Sequence, residues 1–236
     1  AIPKKFLEEY DIRAYGFHGT SHKYVSEKAI EFLKDKNFAY SKIITIHLGN
    51  GCSITAVKEG NAIDHSLGFG PANGLIMGTR AGDIDQSVIF YLIDKLGYSP
   101  QAVKDILLKE SGMLGLTGYS DMRDIEEKSA EGDENCRLAL YMNSYRIKKY
   151  IGAYMAAMNG VDAIVFTAGI GENSSVIRKI VCEEMEFLGL YLDHRKNDVR
   201  GNTIRAINVP ESSVKVLVIP TNEEIEIAKQ SYQLLN

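Results

Sequence analysis

The spacing of apolar and polar positions divides the chain into amphipathic helices and short strands. Over residues 21–34 the apolar side chains Tyr24, Val25, Ala29, Phe32 and Leu33 fall on one helical face, with Thr20 or Ser21 as the cap. The period then shortens. Ile43-Ile44-Thr45-Ile46-His47-Leu48 is β-branched and stops at Gly49-Asn50-Gly51. Residues 53–57 form a second strand, Glu59-Gly60-Asn61 a turn, and residues 62–65 a third strand. Two hairpins in succession predict a β-meander. Helical spacing returns over 84–96 and again after Ser99-Pro100, where proline suits the first helical position. Residues 133–158 read as one long helix, with Leu138, Leu140, Tyr141, Tyr145, Ile147 and Ala153 spaced for burial. A buried strand over 163–167 runs into Ala168-Gly169-Ile170-Gly171-Glu172-Asn173, after which Ser174 or Ser175 caps a helix to about Leu188. Residues 216–219 are the last strand, and Pro220-Thr221 leads into a final helix.

A meander followed by helix–strand alternation is an α/β order, but not the strict βαβ repeat of a Rossmann domain. It matches the RNase-H-like core of the actin, Hsp70 and sugar kinase superfamily, a mixed sheet with a β-meander flanked by helices. One lobe is expected over 1–236, with a lead-in and first helix at 1–40, a core at 41–222 and a terminal helix at 223–236.

Composition narrows the class without choosing a chemistry. With 236 residues, 45% of them hydrophobic and 25% charged, the chain is an ordinary globular one with enough core to need no staples. A net charge of −4 argues against a nucleic-acid partner, whereas a small phosphorylated ligand needs only local positive charge. Cys52, Cys136 and Cys182 lack CxxC spacing and read as reduced thiols of a cytoplasmic protein. No apolar run reaches the length of a membrane span and no signal peptide opens the chain, so no membrane partner is expected. The start at Ala1, without a methionine, suggests a processed or truncated product.

Several residues carry chemistry, each with a structural alternative. The Gly49-Asn50-Gly51 loop brings backbone N–H groups near phosphate oxygens, or is simply a type I′ hairpin turn. Arg80, within Gly78-Thr79-Arg80-Ala81-Gly82, can meet a transferring phosphoryl group, or pair with Asp83 or Asp85. His18 and His22 have the i, i+4 spacing of metal ligands, but no third ligand stands nearby. Ser120 or Asp121 caps the helical stretch that follows. Residues 169–173 present N–H groups and a helix start, an anion or ribose site; the run is Gly-x-Gly-x-x-Ser and not a Rossmann fingerprint. Glu223 and Glu224 open the last helix, where Thr221-x-x-Glu224 reads as a capping box.

Four stretches, taken together, resemble the acetate and propionate kinase family. They are Tyr15-Gly16-Phe17-His18-Gly19-Thr20-Ser21-His22, His47-Leu48-Gly49-Asn50-Gly51-Cys52-Ser53, Gly74-Leu75-Ile76-Met77-Gly78-Thr79-Arg80-Ala81-Gly82-Asp83-Ile84-Asp85, and Phe166-Thr167-Ala168-Gly169-Ile170-Gly171-Glu172-Asn173, with Pro220-Thr221-Asn222-Glu223-Glu224 near the end. The resemblance implies a reversible, Mg²⁺-dependent transfer between ATP and a short carboxylate, giving ADP and an acyl phosphate. It implies that Arg80 and His18 surround the phosphoryl group, and that His47, Leu48, Gly49, Asn50 and Gly51 hold nucleotide phosphates. Asp121, Met122 and Arg123 would contact the adenosine, Arg123 by stacking on the adenine; Gly169, Ile170, Gly171, Glu172 and Asn173 would complete the nucleotide cradle. Phe17 and Pro71 match the acyl pocket and Glu223 the metal-associated carboxylate, leaving Glu224 as cap and His22 as a structural or secondary residue. A homodimer is implied too.

Family members carry a further fold half ahead of the first motif, about one typical domain of 100–150 residues, so this stretch is expected to be the C-terminal nucleotide-binding lobe and not to turn over by itself. The sequence departs from the family pattern at His65 and Gly70, where threonine is expected, and at Ala72-Asn73, where Leu-Glu is expected. Small residues beside Pro71 leave acetate and propionate both open. Three other readings compete: a butyrate kinase, a nucleotide-binding module without turnover, and an Hsp70- or actin-like ATPase. Phe17-His18 speaks against the last.

Overall fold

In a computed structural model, residues 1–33 and 41–235 are described; Lys34 of the expected first helix and the closing Asn236 lie outside them. The β-branched run folds as β1 (Lys42–Leu48), followed by β2 (Cys52–Lys58) and β3 (Asn61–His65). β2 pairs antiparallel with both neighbours, giving the meander. Two later strands, β4 (Ala163–Thr167) and β6 (Lys215–Val218), extend the sheet in parallel from β1, and the two-residue β5 (Arg205–Ala206) lies antiparallel at the edge. The order β3-β2-β1-β4-β6-β5 is the RNase-H-like arrangement. Every residue of β4 is buried, which explains why it reads as an uninterrupted apolar run and not as an alternating one.

Short helices α1 (Lys5–Tyr10) and α2 (Gly19–Leu33) precede the sheet. Between β3 and β4 run α3 (Gln86–Asp94), α4 (Pro100–Asp105), a π-helical turn (Ile106–Glu110), α5 (Gly112–Thr117), α6 (Met122–Ala130) and α7 (Glu134–Met158). After β4 come α8 (Ala168–Asn173), α9 (Ser175–Cys182), a 3₁₀ turn (Glu186–Leu188) and α10 (His194–Asp198), with α11 (Glu223–Leu235) at the end. Alternation along the strands divides the core in two. Ile44, Ile46, Ile164, Phe166, Val216 and Val218 pack with α7 and α9, and Ile43, Ala163, Val165 and Leu217 pack with Val25, Ala29 and Ile30 of α2. Thr45 and His47 therefore point toward α2, and this is what builds the site.

Three local expectations are corrected. α2 starts at Gly19, with the His22 N–H on the His18 carbonyl (3.0 Å), so Ser21 lies inside the helix instead of capping it, and Phe32 is 42% exposed. In α7 only Leu140 and Ile147 of the expected core set are buried; Leu138, Tyr141 and Tyr145 are more than half exposed, and Ala153 is exposed. The helix carries two apolar stripes, and the one through Cys136, Leu140, Ile147, Ile151, Tyr154 and Met158 meets the sheet. Finally, α9 stops at Cys182, because Glu183 turns to extended backbone.

Candidate active site

Four of the five histidines converge where α2 crosses the meander. The Ser53 hydroxyl on β2 lies 2.9 Å from His18 Nδ1 and 2.7 Å from His22 Nε2, while His22 Nδ1 reaches Thr45 Oγ1 at 2.7 Å. Ser21 Oγ bridges His47 Nδ1 and Thr221 Oγ1, each at 2.9 Å. The His18 and His47 rings stack with centroids 4.3 Å apart and planes 14° from parallel. The i, i+4 histidines thus share the Ser53 hydroxyl, and His22 is 3% exposed with both ring nitrogens hydrogen-bonded. Burial lowers every one of these imidazoles: His47 to about 4, with His18 adding to the effect, His22 well below the usual range, and His18 and His65 in the same direction. The cluster is neutral at pH 7.

The Gly49-Asn50-Gly51 loop is not a type I′ turn. It spans three residues between the paired Leu48 and Cys52, and none of the three has a positive φ. A side chain would be tight at Gly51 and in ordinary contact at Gly49. A Cβ on Gly51 would stand 3.0 Å from His18 Nε2 and 4.0 Å from an Arg80 Nη, and one on Gly49 would stand 3.5 Å from His47 Nε2. The space over Gly51 is therefore open to an imidazole and a guanidinium at once. His18 reaches it through a left-handed backbone (φ 58°), a conformation that non-glycine residues hold only where their surroundings impose it.

Arg80 is held without a carboxylate. One Nη donates to the Pro71 carbonyl at 3.0 Å and approaches Met77 Sδ at 3.8 Å; among the described residues no acidic side chain pairs with it. Both expected rivals are occupied. Asp83 accepts from the Gly74 N–H (2.7 Å) and the Tyr150 hydroxyl (2.7 Å) and lies 3.6 Å from Arg146, while Asp85 caps α3 through the Ser87 N–H (2.8 Å). The loop is fixed from beneath by Gly112 (φ 63°), whose absent Cβ would overlap the Met77 carbonyl at 2.2 Å.

Beside this point opens a cavity of about 590 Å³. It is lined by Leu48, Gly49 and Asn50, by Asp121, Met122 and Arg123, and by Gly169, Ile170 and Asn173. The other predicted cradle residues stand behind the wall. Gly51 lies under His18; Gly171 is buried, its carbonyl accepting from Arg178 at 2.9 Å; the Glu172 carboxylate accepts the Thr221 N–H at 3.1 Å; and His47 faces Ser21. Asp121 does cap α6, accepting the Arg123 N–H at 2.9 Å, and it also holds the exposed guanidinium of Arg123 with two hydrogen bonds (2.6 and 3.0 Å) that take its carboxyl down to about 2.

Sequence reasoning missed Ile76, Met77, Met113, Ser120, Glu126, Asn143, Ser174 and Arg200 on the cavity wall. Asn143 could have been found, being a polar residue in the buried stripe of α7, where it donates to the Ile76 carbonyl at 3.0 Å. Glu126 accepts from the Ser174 hydroxyl, and burial raises its pKa.

The expected capping box at α11 is absent. Asn222 Oδ1 takes the Ile225 N–H at 3.0 Å, while Thr221 turns inward to Ser21 and Glu172. Glu224 is thus exposed with no part in the cap, and Glu223 is half-buried two residues from the Thr221–Ser21–His47 chain. Among the described residues no three His, Cys, Asp or Glu side chains gather as a metal cage. A divalent cation here would rest on one carboxylate, phosphate oxygens and water, the coordination magnesium favours, so Glu223 fits that role. Phe17, 37% exposed, borders a second cavity of about 540 Å³, while Pro71 is exposed beside Arg80.

The Acetokinase family model matches residues 1–229. The chain is 65% identical over 235 residues to an acetate kinase of Flavobacterium johnsoniae, covering 100% of this chain and 59% of the relative. It is 57% identical over 234 residues to that of Carboxydothermus hydrogenoformans, covering 99% and 58%. Among solved structures, Porphyromonas gingivalis acetate kinase matches with a TM-score of 0.95 at 46% identity, over 100% of this chain and 59% of that one. A propionate kinase from Francisella tularensis matches with a TM-score of 0.91 at 45% identity, over 98% and 58%. The chain spans about 59% of the length of the relatives it matches.

Proposed function

The chain belongs to the Acetokinase family, and from that premise we propose that its site binds ATP or ADP and serves phosphoryl transfer between ATP and acetate, giving acetyl phosphate and ADP. The observation that carries this reading is the open space over Gly51, bounded by His18 Nε2 and an Arg80 Nη with no acidic side chain to neutralise the arginine. A transferring phosphoryl group spreads charge over its equatorial oxygens, and a fixed guanidinium and N–H donor there lower the barrier without a protein nucleophile. A carboxylate oxygen attacks the γ-phosphorus, the bond to the ADP oxygen breaks, and ADP leaves; no proton has to be abstracted from a carboxylate.

The residues divide the work. Asp121, Met122 and Arg123 take the adenosine end of the cavity, with the Arg123 guanidinium swinging from Asp121 to stack on the base. Asn50 and residues 169–173 line the way to the phosphates. His47, its Nδ1 satisfied by the Ser21 hydroxyl, keeps Nε2 beside Gly49 for a phosphate oxygen. When bound at Glu223, Mg²⁺ supplies neutralisation of nucleotide phosphate charge. Phe17 and Pro71 flank the His18–Arg80 point as walls for a methyl group. Propionate stays within the same reading, favoured by Gly70 and Ala72 beside Pro71, and a kcat/KM for propionate far below that for acetate would remove it.

Two further features fit the same proposal. Leu138, Tyr141 and Tyr145 leave an apolar face on α7, with the two tyrosine rings stacked at 5.9 Å, suited to a homodimer. All three cysteines are free and buried, as a cytoplasmic protein allows, and among the described residues no helix is long and apolar enough to cross a membrane.

Calorimetry of the 236-residue chain with Mg-ADP tests the nucleotide half of the proposal. Binding that Arg123→Ala weakens is expected; a folded chain with no ADP affinity would overturn it. A chimera in which these residues replace the matching region of the Flavobacterium johnsoniae relative tests the transfer. Hydroxamate formation from acetate and Mg-ATP is expected, and a folded, nucleotide-binding chimera without it would remove the acetate assignment.

A further inference from the structure

His65, at the end of β3, stands opposite the strained turn that aims His18. Its Nε2 is 2.6 Å from the Phe17 carbonyl oxygen, and its Nδ1 is 2.9 Å from the Leu67 N–H. The ring lies so close to Gly16 (φ 71°) that a Cβ there would come within 3.2 Å of it. A carbonyl can only accept, so the proton is on Nε2 toward Phe17; Nδ1 stands nearer the Leu67 N–H (2.9 Å) than the Leu67 carbonyl oxygen (3.2 Å) and accepts from the former. A protonated ring would give up the Leu67 N–H and turn Nδ1 to the Leu67 carbonyl oxygen. No other side chain hydrogen bond reaches Gly16 or Phe17 among the described residues. The next residue, His18, is the left-handed one whose ring overlies Gly51.

We propose that His65 is a positioning residue, whose neutral ring clamps the Phe17 carbonyl to the Leu67 N–H and thereby holds His18 over Gly51. The groups that face it agree with a neutral ring. His22 of α2 presents its ring edge-on at 5.2 Å, and His18 lies near enough for mutual repulsion if both were charged. Burial lowers His65 overall, outweighing the Phe17 and Leu67 carbonyls and Asp64 on its own strand, which favour the cation. The consequence for phosphoryl transfer rests on the proposed role of His18; the clamp itself does not.

The test uses the 236-residue chain with three variants. His65→Gln carries an amide N–H to the Phe17 carbonyl; His65→Asn keeps an acceptor for Leu67 but is too short to reach Phe17; His65→Ala removes both. The readouts are the NMR shift and pH titration of the His18 Cε1–H, assigned by its loss in His18→Gln, and the affinities for ADP and for the non-hydrolysable ATP analogue AMPPNP. In Asn and Ala the His18 titration should move up toward the ordinary 6.5. AMPPNP binding should weaken about tenfold, the worth of one well-made polar contact, with ADP binding unchanged. Gln should restore both. An unmoved His18 titration in Asn and Ala would overturn the clamp, as would a Gln variant as impaired as Ala. If Ala does not fold, the Asn–Gln pair still decides. If the wild type binds neither nucleotide, the proposed function fails, while the His18 titration still decides on His65.

Discussion

The two ends of the site are built in opposite ways. At the proposed phosphoryl end, two hydrogen-bond chains, His18–Ser53–His22–Thr45 and His47–Ser21–Thr221, are anchored to β1, β2 and α2 and joined by the stacked rings of His18 and His47. At the proposed adenosine end, Arg123 and Asp121 bind mainly each other at the solvent rim. The difference teaches where precision is required. A dispersed transition-state charge needs donors fixed before it forms, whereas a base that only has to stack tolerates a side chain that swings.

The largest expected effect falls at the fixed end. Arg80→Ala should lower the kcat of the chimera about 10³-fold, some 4 kcal/mol, with ADP affinity nearly unchanged. Since no acidic side chain among the described residues pairs with Arg80, stability should shift by no more than about 0.5 kcal/mol, read from urea midpoints. Equal losses in stability and rate would mean that the loop, and not the charge, is what the arginine serves.

Acid tests the network as a whole. His47 titrates near 4 when folded against an ordinary value of 6.5, so between these limits the unfolded chain binds more protons. The stabilisation from neutral His47 is complete above pH 6.5 and is lost as pH falls toward 4, by about 3 kcal/mol at most. The other three histidines are lowered too and act in the same direction. Urea midpoints at pH 7.5, 6 and 5 should fall in that order, and His47→Gln should flatten the slope. A smaller effect comes from Thr221→Val, which leaves Ser21 one partner short and should cost about 1 kcal/mol.

This contrast also explains what the sequence could disclose. The meander and β4 were legible because β-branched runs bounded by glycine and asparagine dictate them locally, and β4 matches the expected 163–167 to the residue. The network was not. Ser21 and Thr221 read as caps, the commonest local use of such residues, and only the docking of α2 on β1 turns their hydroxyls to His47. Gly51 read as part of a turn requirement, whereas the room it leaves is taken by His18, more than 25 residues away in sequence. Of the two apolar stripes on α7, periodicity alone could not say which one meets the sheet. Arg200 at the cavity rim, an exposed residue in an irregular segment, carries no local signal at all.

The smallest expected effect lies at the adenosine rim, and it sharpens the comparison most. Arg123→Ala removes a guanidinium that is 89% exposed and paired only with its neighbour Asp121, so its stability cost should fall within about 0.5 kcal/mol. If the side chain stacks on the adenine, ADP should bind roughly twofold to fivefold more weakly, in the range of a cation–π contact at an exposed site. Arg123→Lys should recover little of it, since an ammonium lacks the flat stacking face. Inorganic pyrophosphate separates the two ends. It has no base and can reach the γ-phosphoryl position beside Arg80 that ADP leaves empty, so its affinity should be unchanged in Arg123→Ala and reduced in Arg80→Ala. A pyrophosphate affinity that falls in Arg123→Ala would mean that the arginine reaches the phosphates, and the rim would then belong to the same electrostatic unit as the histidine network.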